Sequence, residues 1–235
     1  MTTTPGKLIA IEGIDGSGKR TQVELLAGTL RQRGYAVYQT GFPKYDSTFG
    51  KLVGQFLDGQ LGRLDTVDPR FTALLYAGDR LEAKPEMESA LERGCVVLAD
   101  RYVGSNLAHQ GARCGPEKRE EFLDWIRQVE YSVYGLPREQ LILYLRVPPA
   151  QAQKLVLQKS ARDYTASTHD LQEASLHHLH GAAEVYDALS SQAPWVTIQC
   201  FDSLRSAMRP PEEIASEILQ VVEPVLAQTV IPGGR

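Results

Sequence analysis

Leu8-Ile9-Ala10-Ile11-Glu12-Gly13-Ile14-Asp15-Gly16-Ser17-Gly18-Lys19-Arg20-Thr21-Gln22 is the stretch on which the reading of this chain turns. Residues 8–11 form a short apolar run, the pattern of a strand buried on both faces of a parallel sheet. A glycine-rich segment with GxxxxGK spacing follows at once, and from Lys19 the period becomes helical: Val23, Leu25, Leu26 and Leu30 recur three to four apart. Gly34 is placed as the residue just past the helix end. Glycines between a strand and a helix let successive backbone N–H groups face one set of phosphate oxygens at the helix N-terminus, where Lys19 adds a point charge for β and γ phosphates.

Outward from this segment the alternation continues. A second strand is predicted at 35–38, helices at 47–57 and 69–93, and strands at 95–99, 141–145 and 195–200, with a helix opening at Pro211-Glu212-Glu213. The first strand, helix and second strand make a βαβ unit, whose crossover is right-handed in nearly all cases. Five strands separated by helices predict a doubly wound parallel sheet. No repeat, low-complexity tract or linker interrupts residues 1–235, so one domain is expected, with a tail at 228–235 that frays.

Composition narrows the function classes. The 235 residues carry 25 Lys+Arg against 29 Asp+Glu, a net charge of −4 that lacks the electrostatic footprint of a nucleic-acid binder and leaves room only for a local basic pocket. With 43% hydrophobic and 23% charged residues, a disordered chain is excluded. Cys95, Cys114 and Cys200 form no CxxC pair and are odd in number, which predicts a reducing, cytoplasmic setting. No apolar run approaches the ~18 residues of a membrane span, so neither membrane insertion nor export is expected.

One position of the loop departs from the usual form. Arg20 stands where Ser or Thr would offer a hydroxyl to Mg²⁺, and Thr21 comes one residue late, turned about 100° around the helix. The metal is expected to lean on Asp15, Asp100, Glu173 and water. Arg20 is either a phosphate contact or a solvated helix residue. Asp100 and Arg101 follow the 95–99 strand, where phosphoryl groups would meet; the alternative is a structural ion pair.

The loop, then Phe42-Pro43-Lys44-Tyr45, Asp79-Arg80 and Asp100-Arg101-Tyr102, resemble the thymidylate kinase family. The likeness runs from residue 13 through Asp170-Leu171-Gln172-Glu173 to the last strand. It implies a three-layer α/β sandwich of the P-loop nucleotide kinase type that transfers the ATP γ-phosphoryl group to dTMP with Mg²⁺. By resemblance, Gly13, Ile14, Asp15, Gly16, Ser17, Gly18, Lys19, Arg20 and Thr21 hold ATP, and Asp15 contacts the 3′-hydroxyl and metal-bound water. Phe42, Pro43, Lys44 and Tyr45 lie beside the acceptor phosphate, Arg80 donates to a thymine carbonyl, and Arg101 clamps the phosphate. Tyr76, four residues before Arg80, would share its helix face and offer a flat surface to a pyrimidine, or else is a core aromatic. Asn106, the single Asn, has the donor and acceptor that a thymine edge demands. His109 departs from the aromatic usual beneath the sugar, with Gln110 as a polar helper, so selection of deoxyribose is expected to persist but weaken.

The resemblance also implies a lid at about 158–170. Gly16 stands where some family members carry a catalytic arginine, so Lys159 or Arg162 is expected to serve instead, unless both are solvated helix charges. Asp170 and Glu173 match the family's acidic pair. His177, His178 and His180 are read as a solvated helix segment, and residues 122–129, with Trp125 and Ile126, as a homodimer contact or as core. A GTPase-like switch would need Asn-Lys-x-Asp, but Asn106 is followed by Leu107. A kinase for another pyrimidine nucleotide or for a nucleoside is the remaining alternative; Lys44, Tyr45 and Arg101 favour an acceptor already carrying phosphate.

Overall fold

The structure, a computed structural model, describes residues 5–157 and 176–227. The expected sites Lys159, Arg162, Asp170 and Glu173, and the tail at 228–235, lie outside them. Strands β1 (Lys7–Glu12), β2 (Val37–Gly41), β3 (Val96–Asp100), β4 (Leu141–Arg146) and β5 (Trp195–Gln199) form one parallel sheet in the order β2-β3-β1-β4-β5. The helices are α1 (Lys19–Gln32), α2 (Thr48–Leu57), α3 (Pro69–Glu92), α4 (Val103–Gly111), α5 (Pro116–Arg127), α6 (Pro149–Leu157), α7 (Leu176–Leu189) and α8 (Pro211–Ala227). A π-helical segment, Gln128–Val133, continues α5. A short hairpin, Phe201–Asp202 with Ala207–Met208, was not expected from the sequence.

The apolar run of β1 is central because it is flanked by β3 and β4 and covered on both faces; Leu8 through Ile11 are fully buried. Helix α1 turns Val23, Leu26, Ala27 and Leu30 inward and meets α8, while α3 lies against β3 with α4 and then α5 and α7 packed beyond it. The connection from β1 leaves past β3 to the edge strand β2, and the one from β3 crosses to β4 on β1's other side. The chain therefore reverses direction between β1 and β3, and their carboxyl ends open a crevice.

Two strand starts differ from the sequence reading. Tyr35 and Ala36 precede β2, because Gly34 adopts a left-handed conformation and the amides of Gly34 and Tyr35 bond the carbonyls of Arg31 and Leu30. Cys95 is taken up in the same way after α3, its amide on the Ala90 carbonyl. In each case a helix-terminating hydrogen-bond pair consumes the residue that periodicity would assign to the strand.

Candidate active site

The crevice is lined by the loop after β1 and the turn after β3. Ile11 lies opposite Asp100 in the sheet register, and the Arg101 amide bonds the Ile11 carbonyl at 3.0 Å, so the two loops leave side by side. Helix α1 begins after Gly18, which has no side chain to cap it, and its first turn holds no acidic residue. Its leading N–H groups and dipole are thus left for an anion. Gly16 has φ +85, and a Cβ there would stand 2.4 Å from the Ala152 carbonyl oxygen of α6. The backbone of α6 excludes any side chain at this position, a catalytic arginine included.

Lys19 is buried and donates from Nζ to the carbonyls of Gly13 and Ile14 at 3.0 and 2.9 Å. Burial first, then the neighbouring Arg101 charge, lowers its pKa to about 8, against the opposing pull of Asp15, Asp100 and Glu12. Arg101 has φ 68, a left-handed conformation that costs a non-glycine residue and that turns its side chain back over the loop. Its NH1 donates to the Gly13 carbonyl at 3.2 Å and to Ser105 Oγ at 3.1 Å, and its NH2 to Asp15. Burial is the largest influence and opposes its charge, but Asp15 together with Tyr186, Asp100 and Glu12 outweighs it, and the pKa rises above the usual value. The partner of Arg101 is therefore Asp15 and not Asp100, which corrects the Asp100–Arg101 ion-pair alternative.

Glu12 anchors this turn, a role that sequence reasoning missed. Fully buried, it accepts from the Tyr102 amide (2.7 Å), Ser105 Oγ (2.6 Å) and Tyr186 OH (2.9 Å). Arg20 and Thr21 are exposed, and Arg20 pairs with Glu24 in the same helix, so the structure places Arg20 with the solvated alternative.

Farther along the crevice, Asp79 takes the Lys44 amide at 2.8 Å and Ser47 Oγ at 2.7 Å, tying the loop of Phe42, Pro43 and Lys44 to α3. Lys44 Nζ bonds Glu86 at 3.2 Å, and Lys44 lines with Arg20 and Asp100 a cleft of about 420 Å³. Tyr45 and Tyr76 pack against a small cluster of Val53, Phe56, Leu57 and Leu75, which gives Tyr76 part of the core role as well. Arg80 is buried and donates Nε and NH2 to Glu130 at 2.6 Å each, which engages one edge of its guanidinium. Asn106 Nδ2 bonds Glu130 and the Ala73 carbonyl, while its buried Oδ1 has no hydrogen-bond partner among the described residues. Gln110 Oε1 accepts from Thr72 and Arg113.

His109 is buried with Nε2 facing Arg101 NH1 at 3.4 Å. On its other side Nδ1 meets Nε2 of His178 at 3.2 Å. His177 and His180 are exposed, but His178 is buried, which corrects the reading of all three as solvated. One face of α7 turns inward, and 178 lies on it with Leu179 and Ala182. The 122–129 segment divides similarly: Phe122 and Ile126 belong to the core, and Trp125 stacks on Phe122 at 5.7 Å.

Among the described residues no three His, Cys, Asp or Glu side chains converge as a metal cage. Mg²⁺ needs none, since it keeps several waters and takes one or two carboxylates beside substrate phosphates. Asp15 and Asp100 both act electrostatically on Lys19, and Ser17 Oγ is buried in the loop with no hydrogen-bond partner among the described residues. These donors fit a Mg²⁺–phosphate group.

The thymidylate kinase family model matches residues 11–209. The thymidylate kinase of Mycobacterium tuberculosis is 33% identical over 187 residues, covering 79% of this chain and 86% of that one. The probable thymidylate kinase of Pyrobaculum calidifontis is 33% identical over 223 residues, covering 93% and 97%. A solved thymidylate kinase from Candida albicans superposes with a TM-score of 0.70 over 94% of this chain and 92% of that one; at 20% identity this likeness speaks for the fold. A crevice built from a phosphate loop and an arginine turn, together with a family match that spans both, places this chain in the thymidylate kinase family.

Proposed function

We propose that the chain transfers the γ-phosphoryl group of ATP to dTMP, yielding ADP and dTDP. The observation that carries this reading is the convergence of Lys19, Asp15 and Arg101 on one crevice, with the uncapped start of α1 beside them. Two phosphate groups brought there would meet two cations and a ring of N–H donors.

The acceptor phosphate is already ionised near neutral pH, so no general base is required. The protein's task is alignment and charge stabilisation. Lys19 moves from the Gly13 and Ile14 carbonyls onto the ATP phosphates, and Arg101 exchanges contacts on the loop for the acceptor phosphate. Asp15 holds Arg101 in position and faces the acceptor sugar. Asp15, Asp100 and Glu173, partly through water, would hold the Mg²⁺ that accompanies ATP, which would supply neutralisation of phosphate charge. Lys159 or Arg162 supplies the remaining cation from the lid, and closure excludes water.

On the acceptor side, Tyr76, Arg80 and Asn106 read the base, and Gln110 and His109 border the sugar. His109 favours a second arm of the same reading: a buried polar ring there weakens, without removing, the selection of deoxyribose over ribose. We further propose a cytoplasmic homodimer; no described helix is long and apolar enough to cross a membrane. The surface supporting dimerisation is the exposed α3 stripe of Phe71, Leu74 and Leu81, not Phe122 and Ile126, which the chain buries itself.

Purified protein with ATP and Mg²⁺ should form ADP with dTMP, less readily with dUMP and UMP, and not with thymidine. Equal kcat/KM for UMP and dTMP would refute deoxyribose selection. Turnover of thymidine but not dTMP would refute the phosphate-bearing acceptor.

A further inference from the structure

We infer that His178 is a positioning residue for Arg101, acting through His109: it fixes the imidazole tautomer that accepts from the arginine. This rests on the proposed role of Arg101 at the acceptor phosphate.

The assignment follows from which atoms are able to donate. A guanidinium has donors only, so the nitrogen facing Arg101 NH1 at 3.4 Å, His109 Nε2, must be the acceptor. In a neutral imidazole the proton then sits on Nδ1. That nitrogen faces His178 Nε2 at 3.2 Å, so His178 Nε2 must accept and carry no proton. Arg101, His109 and His178 thus form a one-way donor chain that joins the turn after β3 to α7, across 69 residues between the histidines.

Both rings are buried and are held neutral, as the chain requires. Burial first, and then the Arg101 charge, keeps the His109 pKa well below its ordinary value, and burial lowers that of His178 to about 4. His109 also lies edge-on to Tyr186, which limits how far its ring turns. An apolar residue at 178 would leave His109 Nδ1–H without this acceptor inside the protein. The ring would then favour the other tautomer, setting an Nε2–H donor against the Arg101 donor. Arg101 would keep Asp15, Gly13 and Ser105 but lose the contact on its His109 side, at the residue expected to meet the acceptor phosphate.

The test compares wild type, His178→Leu and His178→Gln by steady-state kinetics on dTMP and ATP, with ¹⁵N NMR of the His109 ring in the unliganded protein. Leucine keeps the apolar bulk without an acceptor, whereas the glutamine carbonyl reaches about as far as Nε2. We expect His178→Leu to raise KM for dTMP roughly tenfold with KM for ATP within about twofold, and His178→Gln to recover most of the loss. Wild-type His109 should be protonated on Nδ1. An unchanged KM for dTMP in His178→Leu, equal impairment in His178→Gln, or a wild-type His109 protonated on Nε2 would each overturn the assignment. Absence of dTMP-dependent ADP formation by wild type would instead refute the underlying function, and the NMR result would still decide the chain of donors.

Discussion

Replacing Glu130 by Gln removes the charge from a fully buried carboxylate that accepts Arg80 Nε and NH2 at 2.6 Å each and Asn106 Nδ2 at 2.7 Å. Arg80 is 1% exposed and stays charged: burial is the largest influence and opposes the charge, but the charge and hydrogen bonds of Glu130, with Tyr102 and Asp79, together outweigh it and raise its pKa. Breaking a buried ion pair from one side costs about 3–5 kcal/mol, since the partner is left buried and uncompensated. Gln retains one acceptor oxygen but turns an NH2 toward the guanidinium, so the lower end, about 3 kcal/mol, is expected. In a chain of this size that is a fall in Tm of roughly 6–12 °C. Urea unfolding monitored by circular dichroism would show a lower midpoint with an unchanged slope. The control is Arg80→Met with Glu130→Met: removing both charges and refilling their volume should bring stability to within about 1 kcal/mol of wild type, because well-packed apolar pairs match or exceed buried ion pairs. Asn106 still has the Ala73 carbonyl in that variant. The same double variant should bind dTMP poorly. A Glu130→Gln protein within about 1 kcal/mol of wild type, or a double variant as unstable as the single, would refute this account of the pair.

Gly16→Ala should lower Tm and slow turnover, since left-handed backbone costs about 1–2 kcal/mol for an L-residue and the new Cβ would meet the Ala152 carbonyl at 2.4 Å; unchanged melting and ADP formation would remove the steric argument. Lys19→Met should abolish turnover yet stabilise the fold at pH 7. The lysine's folded pKa of about 8 lies below its ordinary 10.5, so its cost is fully present below about pH 8, roughly 3 kcal/mol, and is relieved as pH rises from about 8 to 10.5. A less stable Lys19→Met variant at pH 7 would contradict this. Glu139 is pushed up by burial from 4.5 to about 7, so the folded protein holds a proton that the unfolded chain has released, and stability falls as pH rises between those values. Glu139→Gln should therefore gain on wild type from near zero at pH 4.5 to about 3 kcal/mol at pH 8; a gap independent of pH would show that Glu139 does not titrate this way.

Much of the fold was legible because its signals are local. The buried run of β1, the glycines after it and the period of α1 are each set by near neighbours along the chain, and they place Lys19 and the phosphate loop without reference to anything distant. The strand starts at 37 and 96 were less legible, because periodicity counts apolar residues and does not see the hydrogen bonds that end the preceding helix. Arg80 was visible on a predicted helix and Asn106 as the single Asn of the chain, but Glu130, which receives both, lies 50 residues beyond Arg80 in a π-helical segment with no signal of its own.

What the sequence by itself determined was the class of chemistry: a strand, a glycine loop and a lysine-led helix make an anion site from backbone geometry alone, and the later motifs add an arginine and acidic partners at the same carboxyl end of the sheet. What only the tertiary structure decided was how those groups are held. Arg101 pairs with Asp15 across 86 residues, Gly16 is kept bare by the backbone of α6, and His178 is drawn from an apparently polar run into contact with His109. The physical reason is that hydrogen bonds and exclusion act over a few ångströms of space, so a side chain's partner, charge state and tautomer are set by whichever elements the fold packs beside it.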